Sequence, residues 1–402
     1  MDAFYASVEL LRYPELTGLP VVIGGGRRHQ PELQADGTRR FSTLRHYAGR
    51  GVVTTATYAA RDYGVHSGMG LMKAAQRAPD AVLLPVDFEQ YRHYSRLFKA
   101  AVAEVAPVIE DRGIDEIYID LSQVPGVHDA VGHDRFGGVR AVAQDIRNSV
   151  RKATGLTCSV GVTPNKFLSK LASELDKPDS LTVLTHDDLP ARIWPLPVRK
   201  VNGIGPKAAA RLAALGVGSV GDLAARERAW LVEHFGRAYG GWLHDAAHGV
   251  DDRPVVTHSE PVSMSRETTF DRDLHALRDR AELSRVLNEL VEQLAGDLQR
   301  KGYAGRTIGI KLRFEDFKTV TRDLTLPAAT AERDEIRRAA GLCLKRVDLT
   351  RRLRLLGVRA SALGRADGPA AAAPPHRGER ENRRAAVAEP ELFAEGTPPA
   401  KP

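Results

Sequence analysis

The chain has 402 residues, 43% of them hydrophobic and 27% charged, more than one core needs, which predicts two to four domains that fold without staples. A formal charge of +7 favours an anionic partner such as nucleic acid, while two distant cysteines, Cys158 and Cys343, without CxxC or His spacing, argue against a disulfide framework and a zinc site. No run reaches the roughly 18 to 20 apolar residues of a membrane span and no basic-then-apolar leader opens the chain, so a cytoplasmic protein with no membrane partner is expected.

"MDAFYASVEL" reads as the end of a strand running into an amphipathic helix, although no strand precedes it. "LPVVIGGG" predicts a short buried strand from Leu19 to Ile23. Residues Arg27 to Arg50 are rich in Arg, His, Gln and Gly without apolar periodicity, which predicts a long, basic, mobile loop. In "GVVTTATYAARDYGV" a strand at Val52 to Thr55 leads into a helical turn closed by Gly64. A helix and a strand follow in "GLMKAAQRAPDAVLLPVD", then a helix over Tyr91 to Val105. "VIEDRGIDEIYIDLS" predicts a strand or hairpin, with a helix over Val139 to Ala153 and a strand in "LTCSVGVT" completing an α+β layer around carboxylates.

From Asn165 to about Gly249 the pattern turns helical, with "VNGIGPKAAARL" placing a Gly-rich turn before Pro206 at a first helical position. Asp251 to Ser259 reads as a linker. The next block has the order β-α-β-β-α-β of a split βαβ sandwich, with Leu283, Leu287, Leu290, Leu294 and Leu298 on one helix face. In "TIGIKLRF", Ile308, Ile310, Leu312 and Phe314 share one strand face and Thr307, Lys311 and Arg313 the other. From Leu363 onward Ala, Pro, Gly, Arg and Glu dominate, which predicts disorder.

Asp115 and Glu116 are adjacent acids beside an isoleucine-rich strand. Such a pair suits a hard metal such as Mg²⁺ if the backbone turns there, as Gly113 allows, and suits an exposed hairpin tip equally well. Tyr58 and Arg61, three apart, share a helical face able to meet one triphosphate; alone, they read more readily as a packed ring and a solvated charge.

Five stretches together, "MDAFYASVE", "TTATYAARDYGV", "IDEIYID", "SVGVTPNKFLSKLASELDKPDS" and "VNGIGPKAAARL", resemble the Y-family of translesion DNA polymerases over residues 1 to about 360. The resemblance implies an α+β right-hand polymerase: palm over 1–12 and 85–176, fingers over 13–84, helix-hairpin-helix thumb over 177–249, linker over 250–260 and βαββαβ little finger over 261–362. A disordered tail occupies 363–402. It implies two Mg²⁺ ions held by Asp115, Glu116 and the Met1 backbone carbonyl, with Asp115 and Glu116 as the catalytic carboxylates.

The incoming deoxynucleoside triphosphate would meet the Phe4 and Tyr5 amides, Thr55, Tyr58, Arg61 and Lys166, and the Tyr5 ring would exclude a ribose 2′-hydroxyl. Primer-template DNA would lie on Gly203, Gly205, Lys207, Lys311 and Arg313 through sequence-independent phosphate contacts. Leu392 and Phe393 in "EPELF" partly match a sliding-clamp anchor. A monomer is expected.

Three departures stand out. Members of the family carry a metal-bridging aspartate one residue before the Met-Asp pair, and here Met1 occupies the next position. The first palm strand is therefore expected to be truncated, with an upstream start restoring about one strand, ~6 residues. Gly113 stands where the family often has Ser, with little effect expected, and the 27–50 loop is long for fingers. The expected function is error-prone, poorly processive, template-directed DNA synthesis for translesion bypass. The alternative is a catalytically impaired or non-catalytic DNA-binding homologue.

Overall fold

The computed structural model describes residues 1–26 and 29–366. The chain divides into two units, Met1–His258 and the residues from Ser259 onward.

The first helix, α1 (Phe4–Arg12), buries Phe4 and Val8, one turn apart on the same face, and also Ala6 and Glu9. A four-stranded sheet follows, formed by β1 (Val21–Gly24), β4 (Ser42–Thr43), β5 (Val53–Ala56) and β6 (Val82–Leu84) in the order β4-β6-β1-β5. Alternation buries both of its faces. Val22 and Leu83 pack with Leu44, Val53 and Leu71, whereas Val21, Ile23 and Leu84 pack with Phe4 and Val8 of α1.

The stretch expected as a structureless loop is instead partly ordered. β2 (Glu32–Leu33) and β3 (Arg39–Arg40) form a small hairpin whose turn is tied by Asp36, which accepts the Thr38 N–H at 2.9 Å. Buried Leu44 and Tyr47 then anchor the segment between β4 and β5. A few apolar residues far apart carry this order, which is why periodicity misses it. α2 (Tyr58–Asp62) starts at the Thr57 cap and α3 (Leu71–Arg77) covers the sheet.

α4 (Phe88–Val105), capped by Asp87, and α5 (Gly137–Thr154) form a helical layer. On it lie two separate strand pairs. β7 (Ile109–Asp111) and β8 (Ile117–Ile119) make an antiparallel hairpin, and β9 (Val160–Val162) runs parallel to β10 (Leu181–Val183). α6 (Lys166–Leu175), capped by Asn165, connects the latter two. Ile117, Ile119 and Val160 pack on Phe98, Val102, Ile146 and Val150. A cavity of about 920 Å³ is lined by residues of both pairs, with those four helical side chains among its lining.

Four short helices, α7 (Pro206–Ala214), α8 (Val220–Ala224), α9 (Arg228–Phe235) and α10 (Arg237–Ala247), close over Leu168, Ile193, Leu212, Leu231 and Leu243. The expected linker is fastened to this unit for part of its length. Asp251 accepts the Phe167 N–H at 3.0 Å, and the Val256 N–H donates to Glu110 at 2.9 Å.

In the second unit, β11 (Ser263–Leu274), α11 (Arg280–Lys301), β12 (Tyr303–Phe314), β13 (Thr319–Thr330), α12 (Arg333–Leu344) and β14 (Leu353–Arg365) form an antiparallel sheet in the order β11-β14-β12-β13. All five leucines of the α11 stripe are buried against Ile308, Ile310, Leu312 and Phe314. β14 runs on through Arg365, so residues 363–365 belong to the sheet rather than to a tail. Leu363 pairs with Gly305, and Arg365 forms an ion pair with Glu260 at 2.8 Å. Leu392 and Phe393 lie outside the described residues. Among those described, no helix is long and apolar enough to cross a membrane.

Candidate active site

The β7–β8 hairpin turns through residues 112–116, so Asp115 and Glu116 leave the strict up-down alternation of a strand. Asp115 is half-buried and its carboxylate has no side-chain ion pair among the described residues. Its carbonyl accepts the Met1 nitrogen at 2.9 Å, while the Asp2 N–H donates to the Thr157 carbonyl at 3.2 Å. These two bonds clip the start of the chain between the hairpin and the approach to β9. The Asp2 carboxylate is inward and structural, accepting the Ser159 hydroxyl at 2.7 Å and the Asp179 N–H at 2.9 Å.

A network of lysines and carboxylates adjoins Asp115. Lys170 donates to Glu116 and, at 3.1 Å, to Glu174, which also pairs with Lys177 at 3.1 Å. Burial works against the Glu174 carboxylate, but the Lys177 and Lys170 charges prevail and hold it below the ordinary range. Lys177 Nζ also donates to the Met1 carbonyl at 3.4 Å.

Lys166, expected at the triphosphate, is directed elsewhere. Its ammonium donates to Glu110 at 2.7 Å and lies 5.6 Å from the Tyr118 ring centroid, and both members of the pair are buried. The lysine beside the Met1 carbonyl is Lys177. It sits within the quoted "ELDKPDS", and nothing in periodicity distinguishes it from Lys166. Glu110 escaped the sequence reading too, since an acid on a short strand looks solvent-facing until its cation is found across the fold.

Tyr58 and Arg61 do share a face of α2, with the Arg61 guanidinium 4.7 Å from the Tyr58 ring centre and its Nε donating to the Ala56 carbonyl at 3.1 Å. The Tyr58 hydroxyl is buried without a hydrogen-bond partner among the described residues, and burial pushes its pKa up to about 12, with Asp2 contributing. Thr55 is buried on β5 opposite Ile23. Phe4 is core, edge-on to Phe98 at 6.3 Å, whereas Tyr5 is half-buried and stacks on Tyr91 with centroids 4.3 Å apart. Burial raises the Tyr5 pKa and the nearby Asp115 charge adds to it, so the ring and the carboxylate feel one another. The N–H groups of Phe4 and Tyr5 open α1, where a helix leaves donors unpaired.

Gly203, at φ +107°, occupies the turn before α7, and a Cβ there would meet Trp242 at 2.6 Å. Trp242 stacks on Tyr239, whose hydroxyl donates to the Gly203 carbonyl at 3.0 Å, so the turn is braced from behind. Gly205 caps α7 and Lys207 is exposed in its first turn. In the second unit, Lys311 Nζ reaches Glu267 at 2.8 Å across Gly357, the strand residue registered between them, while Arg313 Nε donates to Thr319 at 3.1 Å.

As metal donors, Asp115, Glu116 and the Met1 carbonyl are all hard oxygens near one cleft, which suits Mg²⁺ in kind. Among the described residues no cluster of three or more acidic, His or Cys side chains forms a cage. Substrate oxygens would have to complete the coordination.

The impB/mucB/samB family model matches residues 1–174, the model of its C-terminal domain residues 261–373, and the IMS family HHH motif residues 186–217. The chain belongs to this family, the Y-family of translesion DNA polymerases, and is a DNA-directed DNA polymerase. Its curated relatives are DNA polymerases IV. It is 38% identical over 368 residues to that of Alkalilimnicola ehrlichii and 39% identical over 365 residues to that of Halorhodospira halophila, each match covering 90% of this chain and 93% of the relative. A Y-family DNA polymerase chimera shares the fold with a TM-score of 0.73 at 24% identity, over 90% of this chain and 96% of that one. The two units thus comprise palm, small fingers, helix-hairpin-helix thumb and little finger.

Proposed function

We propose that the chain performs error-prone, poorly processive DNA synthesis past damaged template, with the chemistry at Asp115 and Glu116. The observation that carries this reading is the half-buried Asp115 carboxylate, left without a side-chain cation in a site where Lys170, Lys177, Glu116 and Glu174 are otherwise paired. Apart from the Met1 ammonium, which the Asp115 charge favours, no cation faces this carboxylate among the described residues, and a half-buried carboxylate gains from a cation that joins it.

Asp115, Glu116 and the Met1 carbonyl would hold two Mg²⁺ ions, which supply charge neutralisation at the triphosphate and acidify the primer 3′-hydroxyl. Lys177, Arg61, Tyr58 and the first N–H groups of α1 hold and orient the triphosphate. Thr55 supports the β5 wall behind them. Tyr5 lies against the sugar. Gly203, Gly205, Lys207, Lys311 and Arg313 hold DNA phosphates without reading sequence. The protein acts as a monomer, and Leu392 and Phe393 contact a sliding clamp.

Primer extension by the purified chain tests this. Incorporation that disappears in Glu116→Ala supports it, and extension that survives the substitution removes Glu116 from the chemistry. A second reading, an impaired polymerase that mainly binds DNA, is favoured by the lack of a three-carboxylate cage among the described residues. Tight primer-template binding with no extension at any Mg²⁺ concentration is its signature.

A further inference from the structure

Behind Tyr5 stands a second ring. Tyr91, near the start of α4, is wholly buried and lies almost parallel to Tyr5, with centroids 4.3 Å apart and planes at 21°. Phe88, one turn earlier on α4, meets Tyr5 and Tyr91 edge-on at 5.9 and 5.8 Å. The Tyr91 hydroxyl donates to Glu9 Oε1 at 2.6 Å, and Glu9 is only 3% exposed. Glu9 follows Tyr5 by four residues on α1, so the two share a helical face. One turn further, Arg12 pairs with Asp87, the cap of α4, at 3.2 Å.

Burial raises the Glu9 carboxyl, and burial with the Glu9 hydrogen bond raises the Tyr91 phenol. Neither group bonds to any other side chain among the described residues, so each depends chiefly on the other for satisfaction. A carboxyl and a phenol placed together in an apolar core are costly to retain unless the bond fixes something. What it fixes is the ring on which Tyr5 rests.

Exclusion by contact requires a ring that does not yield. A tyrosine free on one side changes rotamer cheaply and would let a bulkier sugar in. Stacked on a ring that is itself bolted to its own helix, Tyr5 loses that escape. We infer that Tyr91, held by Glu9, is a positioning residue for Tyr5, and that this buried pair sets how strictly the site rejects ribonucleoside triphosphates. The inference rests on the reading of Tyr5 as the sugar-facing ring.

The test uses the full chain with Mg²⁺ and a primer-template ending in a dideoxynucleotide, so that binding is read without turnover. The quantity is the ratio of the Kd for a ribonucleoside triphosphate to that for its deoxy counterpart, with thermal melts reporting folding. Tyr91→Leu should lower the ratio about tenfold, the scale of a small steric change in a specificity pocket. Glu9→Leu should lower it several-fold. Glu9→Gln, which keeps an oxygen to accept the hydroxyl, should restore it.

If Tyr91→Leu does not fold, the comparison of Glu9→Leu with Glu9→Gln carries the test. Should Tyr5→Ala erase discrimination while Tyr91→Leu and Glu9→Leu leave the ratio unchanged, the inference is wrong and the reading of Tyr5 stands. A ratio unchanged in Tyr5→Ala removes both. Equal weakening of the two nucleotides in Glu9→Leu, with the ratio intact, marks a merely structural pair and also overturns the inference.

Discussion

Glu110 and Lys166 face each other at 2.7 Å between β7 and α6, and the Val256 N–H donates to the same carboxylate at 2.9 Å. β7 belongs to the hairpin that carries Asp115 and Glu116, and α6 carries Lys170 and Glu174. The buried pair therefore ties together the two elements that furnish the charged groups of the site. In the protein without substrate it holds the spacing of these two elements.

Lys166→Ala leaves a buried carboxylate without its cation and should cost about 3–5 kcal/mol, whereas the double change Lys166→Met with Glu110→Leu should recover most of it. Denaturant unfolding measures both. Loss of nucleotide affinity with full stability in Lys166→Ala would instead return that lysine to the triphosphate.

Acid should release the same tie. Burial opposes the Glu110 carboxylate, but the Lys166 hydrogen bond, the Val256 N–H and the neighbouring charges outweigh it, so its folded pKa lies below the ordinary 4.5. Its contribution is complete above that value and disappears as pH falls through the lower folded one. Unfolding free energy followed from pH 6 down to pH 3 should decline less steeply at its acid end in the Lys166→Met, Glu110→Leu protein.

Tyr58 carries a buried hydroxyl with no hydrogen-bond partner among the described residues. Tyr58→Phe should thus stabilise the fold by about 1 kcal/mol while weakening nucleotide binding by about tenfold, because the hydroxyl finds its partner only on the phosphates. Melting and nucleotide titration should move in opposite directions. Burial raises the Tyr58 pKa to about 12, so its hydroxyl stays protonated and contributes no titration through the neutral range.

The little-finger sheet makes a prediction about salt. Lys311 is engaged by Glu267 across Gly357. Glu267→Gln should free the ammonium, tighten DNA binding and steepen the dependence of log K on log salt by roughly 0.9. Lys311→Ala together with Arg313→Ala should flatten it by only about 0.9, the share of Arg313, because Lys311 is already held by Glu267. Binding isotherms between low and moderate salt decide the matter.

The second unit was legible because its signals are periodic. Five leucines on one helix face and four alternating apolar residues in "TIGIKLRF" define both layers, and all are buried. The 27–50 segment was not, since Leu44 and Tyr47 hold it by contacts distant in sequence. In the site, neighbours along the chain were readable and partners across the fold were not. Tyr58 with Arg61 follows from helical spacing, but Lys166 with Glu110, Lys170 with Glu116 and Tyr91 with Glu9 are separated by 56, 54 and 82 positions. A single sequence does not distinguish Lys166 from Lys177, because both are lysines beside the same helix.

The alternation of bonding along the two strand pairs has a consequence for amide protection. Arg112 and Asp120 N–H groups donate to Glu116 and Val108, so even-numbered residues of β8 face β7 and the Ile117 and Ile119 amides point away from it. On the other pair, Val160 donates to Ser180 and Leu184 to Val162, which turns Gly161 away from β10. In deuterated buffer Ile117, Ile119 and Gly161 should exchange early, and Tyr118, Val160 and Val162 late. The hairpin that presents Asp115 and Glu116 is thus secured by hydrogen bonds on one flank, and its slowest protons report how firmly these two carboxylates are held.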